Sequence, residues 1–319
     1  MSIELNIEDG PNKPVGEKQN TQSRKTSFLS DRSVHDIARV FSNFGNRTLI
    51  IPIGFPQAGK SLFLSSLLFY ARKGKDTLFR TNQENDDPFD SGRLASDQMI
   101  DYFDRGEIYK PNQKGSLDLI GIDILPSNSK LPPLSLAFLD LAGEDIKSIK
   151  TSESATFTDK INAVFNGIKI DNSPIVFVLI TPYDPPKKDN ENSQNAHDRE
   201  DALHYDFLNY IEKNQPELLK NSKFFITVSQ WDKNQNQNQN VETYIKEKRP
   251  SIYNYVKNST VVWGEYSIGK LLESNIDGVQ KQEIVRKNFD YPARFWKKLY
   301  HICTNKNLDE KTFWEKLFG

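Results

Sequence analysis

Cysteine is almost missing from this sequence: of 319 residues, Cys303 is the single one. A lone thiol excludes an internal disulfide framework, and this one reads as a core-filling residue rather than a nucleophile. Long apolar runs are missing as well. The longest, Ile175–Ile180, falls far short of the ~20 residues that cross a bilayer, so no membrane span is expected. Charge of one sign is also lacking. The 42 Lys and Arg nearly cancel the 43 Asp and Glu, which leaves no global field to attract nucleic acid or an anionic membrane. The N-terminus opens on acidic and polar residues rather than an apolar signal stretch. These absences predict a cytoplasmic protein with no direct nucleic-acid partner. What is present, 36% hydrophobic and 27% charged residues, suits a globular chain with one large α/β core, with or without a small appendage.

Residues 1–30 are rich in Asn, Lys, Gln, Ser and Pro and carry too little apolar surface to order themselves, which predicts a disordered tail. From Ser33 to Phe44 apolar residues recur at helical spacing. Thr48–Ile53 is a short β-rich run, and Ser61–Arg72 is apolar nearly all round, as a buried helix is. Residues 74–114 read as polar and irregular, with one amphipathic helix near Leu94–Phe103. Ser116–Leu125 alternates and Leu134–Leu139 is continuously apolar. The link between them is too short for a crossover helix, so the two strands are expected to pair antiparallel. Helices at Ala155–Phe165, Asp201–Lys220 and Val241–Lys257 then alternate with strands at Ile175–Ile180, Lys223–Val228 and Thr260–Trp263. That rhythm predicts an α/β fold, a mostly parallel central sheet with one antiparallel strand and helices on both faces. Lys187–Asn195 and Asn234–Asn240 read as surface loops. Tyr291–Phe318 reads as two helices closing the core or as a partner-docking face. The expected organisation is a tail over 1–30, one domain over 31–303 and a helical extension over 304–319.

The chemistry concentrates in three segments. The first is Gly54-Phe55-Pro56-Gln57-Ala58-Gly59-Lys60-Ser61, the pattern G-x-x-x-x-G-K-[ST] between a β run and an apolar helix. Average residue usage gives an accidental match in roughly one chain in a hundred of this length. Gly54 and Gly59 let the backbone curl so that successive N–H groups, including those of Gln57, Ala58 and Leu62 nearby, can face phosphates. The following helix adds the positive end of its dipole. Lys60 is placed to reach the β- and γ-phosphates, and the Ser61 hydroxyl to ligate Mg²⁺. The second segment, Asp140-Leu141-Ala142-Gly143-Glu144, follows a strand. An Asp there can hold Mg²⁺ through water, and the Gly offers a bare N–H to a γ-phosphate. The third, Ser229-Gln230-Trp231-Asp232-Lys233, also ends a strand. Its carboxylate can accept from the N1–H and 2-amino group of guanine, a pattern that adenine lacks.

The series GFPQAGKS, DLAGED, SQWDK and Tyr266-Ser267-Ile268-Gly269 resembles signature segments of Ras-like GTPases of the TRAFAC class, and the expected antiparallel hairpin is that class's hallmark. The resemblance covers roughly residues 46–303 and is nearest to divergent bacterial GTPases of multi-gene conflict (defence) systems. It implies that Asp140 is the water-mediated magnesium residue, Gly143 the γ-phosphate sensor and Asp232 the guanine reader. Gln230 would lie along the base, with Ser267 and Ile268 on its other side. The chain departs from the pattern in four places. Pro56 occupies the third loop position, close to where activating groups approach. Ser229 and Gln230 replace Asn and Lys. Glu144 stands where Gln orients the attacking water. The switch Thr has no clear counterpart, its place falling to Asn112, Gln113, Thr81 or Thr77.

The resulting expectation is a GTP- and GDP-binding switch that hydrolyses GTP slowly with Mg²⁺, with Lys60, Gly143 and Glu144 in the catalytic roles and a protein effector or activator as partner. Two alternatives stand beside it: a pseudo-GTPase scaffold with structural nucleotide, favoured by Glu144 and the missing Thr, and a P-loop ATPase or kinase, disfavoured by Asp232.

Overall fold

The computed structural model describes residues 29, 32–43, 45–56, 58–74, 78–82, 92–109, 117–143, 146, 155–171, 173–236, 238–276 and 279–310. Strands β1 (Thr48–Ile53), β2 (Phe79–Asn82), β3 (Leu117–Pro126), β4 (Leu134–Leu141), β5 (Ile175–Pro182), β6 (Lys223–Ser229) and β7 (Val261–Glu265) form one sheet in the order β2-β3-β4-β1-β5-β6-β7. β3 runs antiparallel to both neighbours, and every other pairing in the sheet is parallel. The expected α/β architecture with one reversed strand is therefore observed. The short link between β3 and β4 closes them as an antiparallel pair, with Asp118 opposite Asp140.

Two cores sandwich the sheet, and alternation along each strand divides side chains between them. Leu49, Ile51 and Ile53 face one core with α1 (Val34–Ser42), α4 (Ala155–Asp171), α5 (Ser193–Asn214), α6 (Pro216–Lys220), α7 (Val241–Lys248) and α8 (Pro250–Val256). Ile50, Phe138, Val178 and Phe225 face the other with α2 (Lys60–Lys73), α3 (Arg93–Asp104) and α9 (Asp290–Thr304). Burial on both sides explains why β1 and β5 read as continuous apolar runs. Trp296 of α9 is fully buried and donates its indole N–H to the Leu67 carbonyl at 3.2 Å, which pins α9 across α2. So α9 closes the second core, as one of the two readings of the C-terminal segment expected; residues 311–319 lie outside the described ones.

Several expected boundaries are corrected. The helix expected over Asp201–Lys220 starts at Ser193, inside a segment read as loop, because the Asn192 side chain caps it by accepting from the Asn195 N–H at 2.8 Å. It then breaks at Gln215, where Pro216 opens α6. The helix expected over Val241–Lys257 breaks at Arg249, whose φ of −139° is forced away from helix by the Pro250 that follows. Within residues 74–114 there is an unexpected edge strand, β2. A second small sheet, β8 (Gly269–Ile276) with β9 (Val279–Lys287), is also unexpected.

Candidate functional site

The glycine-rich segment leaves the buried end of β1 and turns directly into α2. A Cβ on Gly54 would stand 3.1 Å from the Lys60 Cβ, so the loop folds back on its own exit. Gly59 has φ +85°, a left-handed conformation that favours glycine, and it is the N-cap of α2 without any side-chain cap bond. The first turn of α2 therefore presents backbone N–H groups that no capping side chain claims, the arrangement that binds anions. Lys60 is only 7% exposed, and its ammonium contacts the fully buried Asp140 carboxylate at the end of β4. Ser61 lies beside it, half-buried, in the first turn, while Leu62 packs against the second core.

Two further segments converge on this loop. A Cβ on Gly143 would come within 2.8 Å of the Gly54 carbonyl and 3.1 Å of the Pro56 nitrogen, so only glycine lets the segment after β4 approach so closely. From β6, the Ser229 hydroxyl donates to the Ala58 carbonyl at 2.9 Å. The chain then turns through Gln230, at φ +59°, into a 3₁₀ turn at Trp231–Lys233 that leaves Asp232 exposed. Tyr266 ties this turn to the segment after β7: its N–H donates to the Val228 carbonyl at 2.9 Å and its carbonyl accepts from the Trp231 N–H at 3.0 Å. The Ser267 hydroxyl, buried, accepts from the Gly269 N–H at 3.2 Å. Gly54, Ala58, Gly59, Lys60, Ser61, Asp140 and Gly143 are thus brought to one place. Gln230, Asp232, Ser267 and Ile268 share the neighbouring strand ends.

Gln57, Glu144, Asn112, Gln113 and Thr77 lie outside the described residues. Thr81 is removed from the site. It pairs with Ile124, which pairs with Leu134 at the far end of β4, roughly 20 Å along the strand from Asp140. Its hydroxyl donates instead to the Ala71 carbonyl at 3.3 Å.

Two features escaped the reading of the sequence. Asp118, nearly buried, stands directly opposite Asp140 across the β3–β4 ladder and adds a second carboxylate next to it; its signal was the hairpin register. Behind the loop lies a buried polar group. His204 packs edge-on against Phe55 with ring centroids 4.7 Å apart. Arg249, fully buried, donates to the Thr181 hydroxyl at 2.9 Å and the Pro182 carbonyl at 3.1 Å, and contacts His197. Burial, and then the guanidinium, push His197 down to about 4, so its imidazole is held neutral. Burial likewise lowers His204.

Chemically, the site offers one ammonium, a run of backbone donors, a hydroxyl and two carboxylates. Among the described residues no three His, Cys, Asp or Glu gather as a protein cage for a metal. A hydroxyl and a carboxylate are nevertheless hard oxygen donors suited to Mg²⁺ held jointly with phosphates. No protein-family model matches the chain, and no curated protein is significantly similar to it. No helix among the described residues is long and apolar enough to cross a membrane.

Proposed function

We propose that this chain binds guanine nucleotide, hydrolyses GTP slowly with Mg²⁺ and acts as a nucleotide-dependent switch on a protein partner. The observation that carries the reading is convergence. Residues as distant as Gly54, Asp140, Gly143 and Ser229 meet at the C-terminal ends of neighbouring strands. The strand order supports it too. The chain leaves β1 towards the β2 edge but leaves β4 across to β5, and such reversals open the crevice where α/β sheets take ligands. A Ras-like GTPase is the family in which this arrangement finds its counterpart.

In this reading the α2 N-terminus and Lys60 hold the phosphates, Ser61 and Asp140 hold the cation, and the Gly143 N–H meets the γ-phosphate. Mg²⁺ would neutralise charge developing on the transferred group. Asp232 accepts from the guanine edge, with Gln230 on one side of the base and Ser267 and Ile268 on the other. Glu144 offers only acceptors to the attacking water and adds charge beside the phosphate, which slows hydrolysis. The same residue favours the second reading, a scaffold that keeps its nucleotide. Single-turnover assays with GTP and ATP test both readings, together with Asp232→Asn and xanthosine triphosphate. The expected result is slow GTP turnover, none with ATP, a preference moved towards xanthosine triphosphate by Asp232→Asn, and faster turnover in Glu144→Gln. Equal use of ATP and GTP would sink guanine selection, and no turnover at all would leave the scaffold.

A further inference from the structure

The phosphate loop has two halves, and different parts of the molecule anchor them. Its exit into α2 is held by the Ser229 hydroxyl, which donates to the Ala58 carbonyl at 2.9 Å, and by the buried contact of Lys60 with Asp140. Its entry, residues 54–56, is the surface on which the segment after β4 rests. A Cβ on Gly143 would stand 2.8 Å from the Gly54 carbonyl oxygen, 3.1 Å from the Pro56 nitrogen and 3.2 Å from the Phe55 carbonyl carbon. Backbone packed so closely leaves little slack, so the place of Gly143 follows the place of Phe55. One main-chain bond, from the Ala58 N–H to the Phe55 carbonyl at 3.0 Å, joins the two halves.

The Phe55 side chain is buried in the first core and meets His204 there, the two rings 88° apart in plane. An edge-to-face pair has a preferred geometry beyond mere burial, so a fixed His204 ring fixes Phe55. Its platform, α5, is tied down on two sides. Arg249 contacts His197 while it donates to the Thr181 hydroxyl and the Pro182 carbonyl at the end of β5, and the Asp201 carboxylate accepts from the Ser251 and Ile252 N–H groups of α8. Packing alone does not call for a histidine at this spot. The ring is fully buried, and its Nε2 has no hydrogen-bond partner among the described residues; nor has the buried Glu200 Oε1 one turn earlier. Its Nδ1 faces the Glu200 carbonyl at 3.0 Å, a mid-helix group that already has the N–H four residues on. An unsatisfied buried atom costs stability, and a leucine would fill similar space without that cost. A residue that breaks a folding rule without a folding gain points to a functional task.

We propose that His204 is a positioning residue of the phosphate loop: through Phe55 it sets where Gly143 stands, and thereby how strongly the site prefers a nucleoside triphosphate over the diphosphate. This rests on the nucleotide reading of the loop and adds to it a residue that never touches the nucleotide. In that reading the phosphates nearest the nucleoside lie on the α2 N-terminus, whose anchors, Ser229 and Asp140, do not involve the Phe55 side chain. Only the γ-phosphate calls on the Gly143 N–H. The bond that joins the two halves of the loop is main chain, so a side-chain replacement at 55 or 204 leaves it available. Loss of the ring contact should therefore weaken the triphosphate selectively.

Titration calorimetry of the full chain with GDP and with a non-hydrolysable GTP analogue, each with Mg²⁺, tests this. His204→Leu should lower the ratio of triphosphate to diphosphate affinity about three- to tenfold, the worth of one edge-to-face contact, by weakening the analogue and leaving GDP nearly unchanged. Phe55→Leu should do the same. The double variant should fall no further than either single one, because the two residues act through one contact. Should His204→Leu not fold, His204→Gln, which also lacks the ring, must show the same fall. An unchanged ratio overturns the proposal. So does an equal loss for both nucleotides, the mark of a purely structural residue, and so do losses that add in the double variant. Wild type that binds neither nucleotide overturns the reading of the loop and this proposal with it, whereas wild type that binds both, with a ratio that His204→Leu does not move, strikes the proposal alone.

Discussion

Lys60 and Asp140 form a buried ion pair, and truncating one partner of such a pair is destabilising in itself. A loss of nucleotide binding in Lys60→Ala therefore has to be read beside the variant's own stability. The neutral His197 behind the loop makes a separate, pH-dependent contribution. Its folded pKa is depressed to about 4, by burial first and by Arg249 next. In the unfolded chain the imidazole takes up its proton below about 6.5. Acidification through that window therefore favours the unfolded state, and stability rises with pH across it. His204, lowered by burial, adds in the same direction. The urea midpoint should fall between pH 7.5 and pH 5.5, above the range of most carboxylates. His197→Asn should flatten that slope even if it lowers the midpoint at pH 7.5. A midpoint constant over the window, or a slope unchanged in the variant, would show that His197 is not the titrating group. Such residues were not legible in the sequence. The residue types of a phosphate loop are dictated by the chemistry of phosphate, whereas Arg249 and Asp118 owe their importance to where the fold puts their partners.

At the scale of elements, what the sequence disclosed follows length and periodicity. β1, β4, β5 and β6 were legible because burial on both sheet faces makes them largely apolar runs, and α2 because its length and near-continuous burial read as a buried helix. β2 was not, since its four residues Phe-Arg-Thr-Asn are an edge strand with little apolar content. The β8–β9 hairpin did carry a signal, the dipeptide Asp277-Gly278 between two strand-length segments. The break at Arg249 had one too, the residue before a proline. That break works through a cap from another helix. The Asp201 carboxylate of α5 accepts from the Ser251 and Ile252 N–H groups at 2.9 and 3.0 Å, the first turn of α8. Asp201→Ala should cost about 1–2 kcal/mol, the range for losing an N-terminal cap, and Asp201→Asn much less. Urea midpoints at constant m-value measure it. Equal losses in the two variants would mean that the carboxylate is not acting as a cap.

The whole molecule joins these parts through one crevice, so occupation of that crevice should be felt globally. A ligand that binds only the folded chain stabilises it by RT ln(1 + [L]/Kd), about 2.7 kcal/mol at a hundredfold excess over Kd. For a chain of 319 residues this corresponds to a rise in Tm of about 4–5 °C. GTP with Mg²⁺ should produce that shift and ATP should not. The cation matters because Lys60 and Asp140 are in contact with each other. Phosphates that draw Lys60 away take from the buried Asp140 carboxylate the ammonium it contacts, and a divalent cation arriving with them supplies positive charge in its place. The shift should therefore shrink severalfold when EDTA replaces Mg²⁺. In Asp140→Asn only the Asp118 carboxylate remains there, so GTP without metal should recover part of the shift that wild type loses. Lys60→Ala should respond to neither. Differential scanning calorimetry at fixed nucleotide excess separates the cases. An equal rise with and without Mg²⁺ in wild type would show that the two charges do not exchange partners on binding. An equal rise in Lys60→Ala would place the nucleotide elsewhere than the loop between β1 and α2.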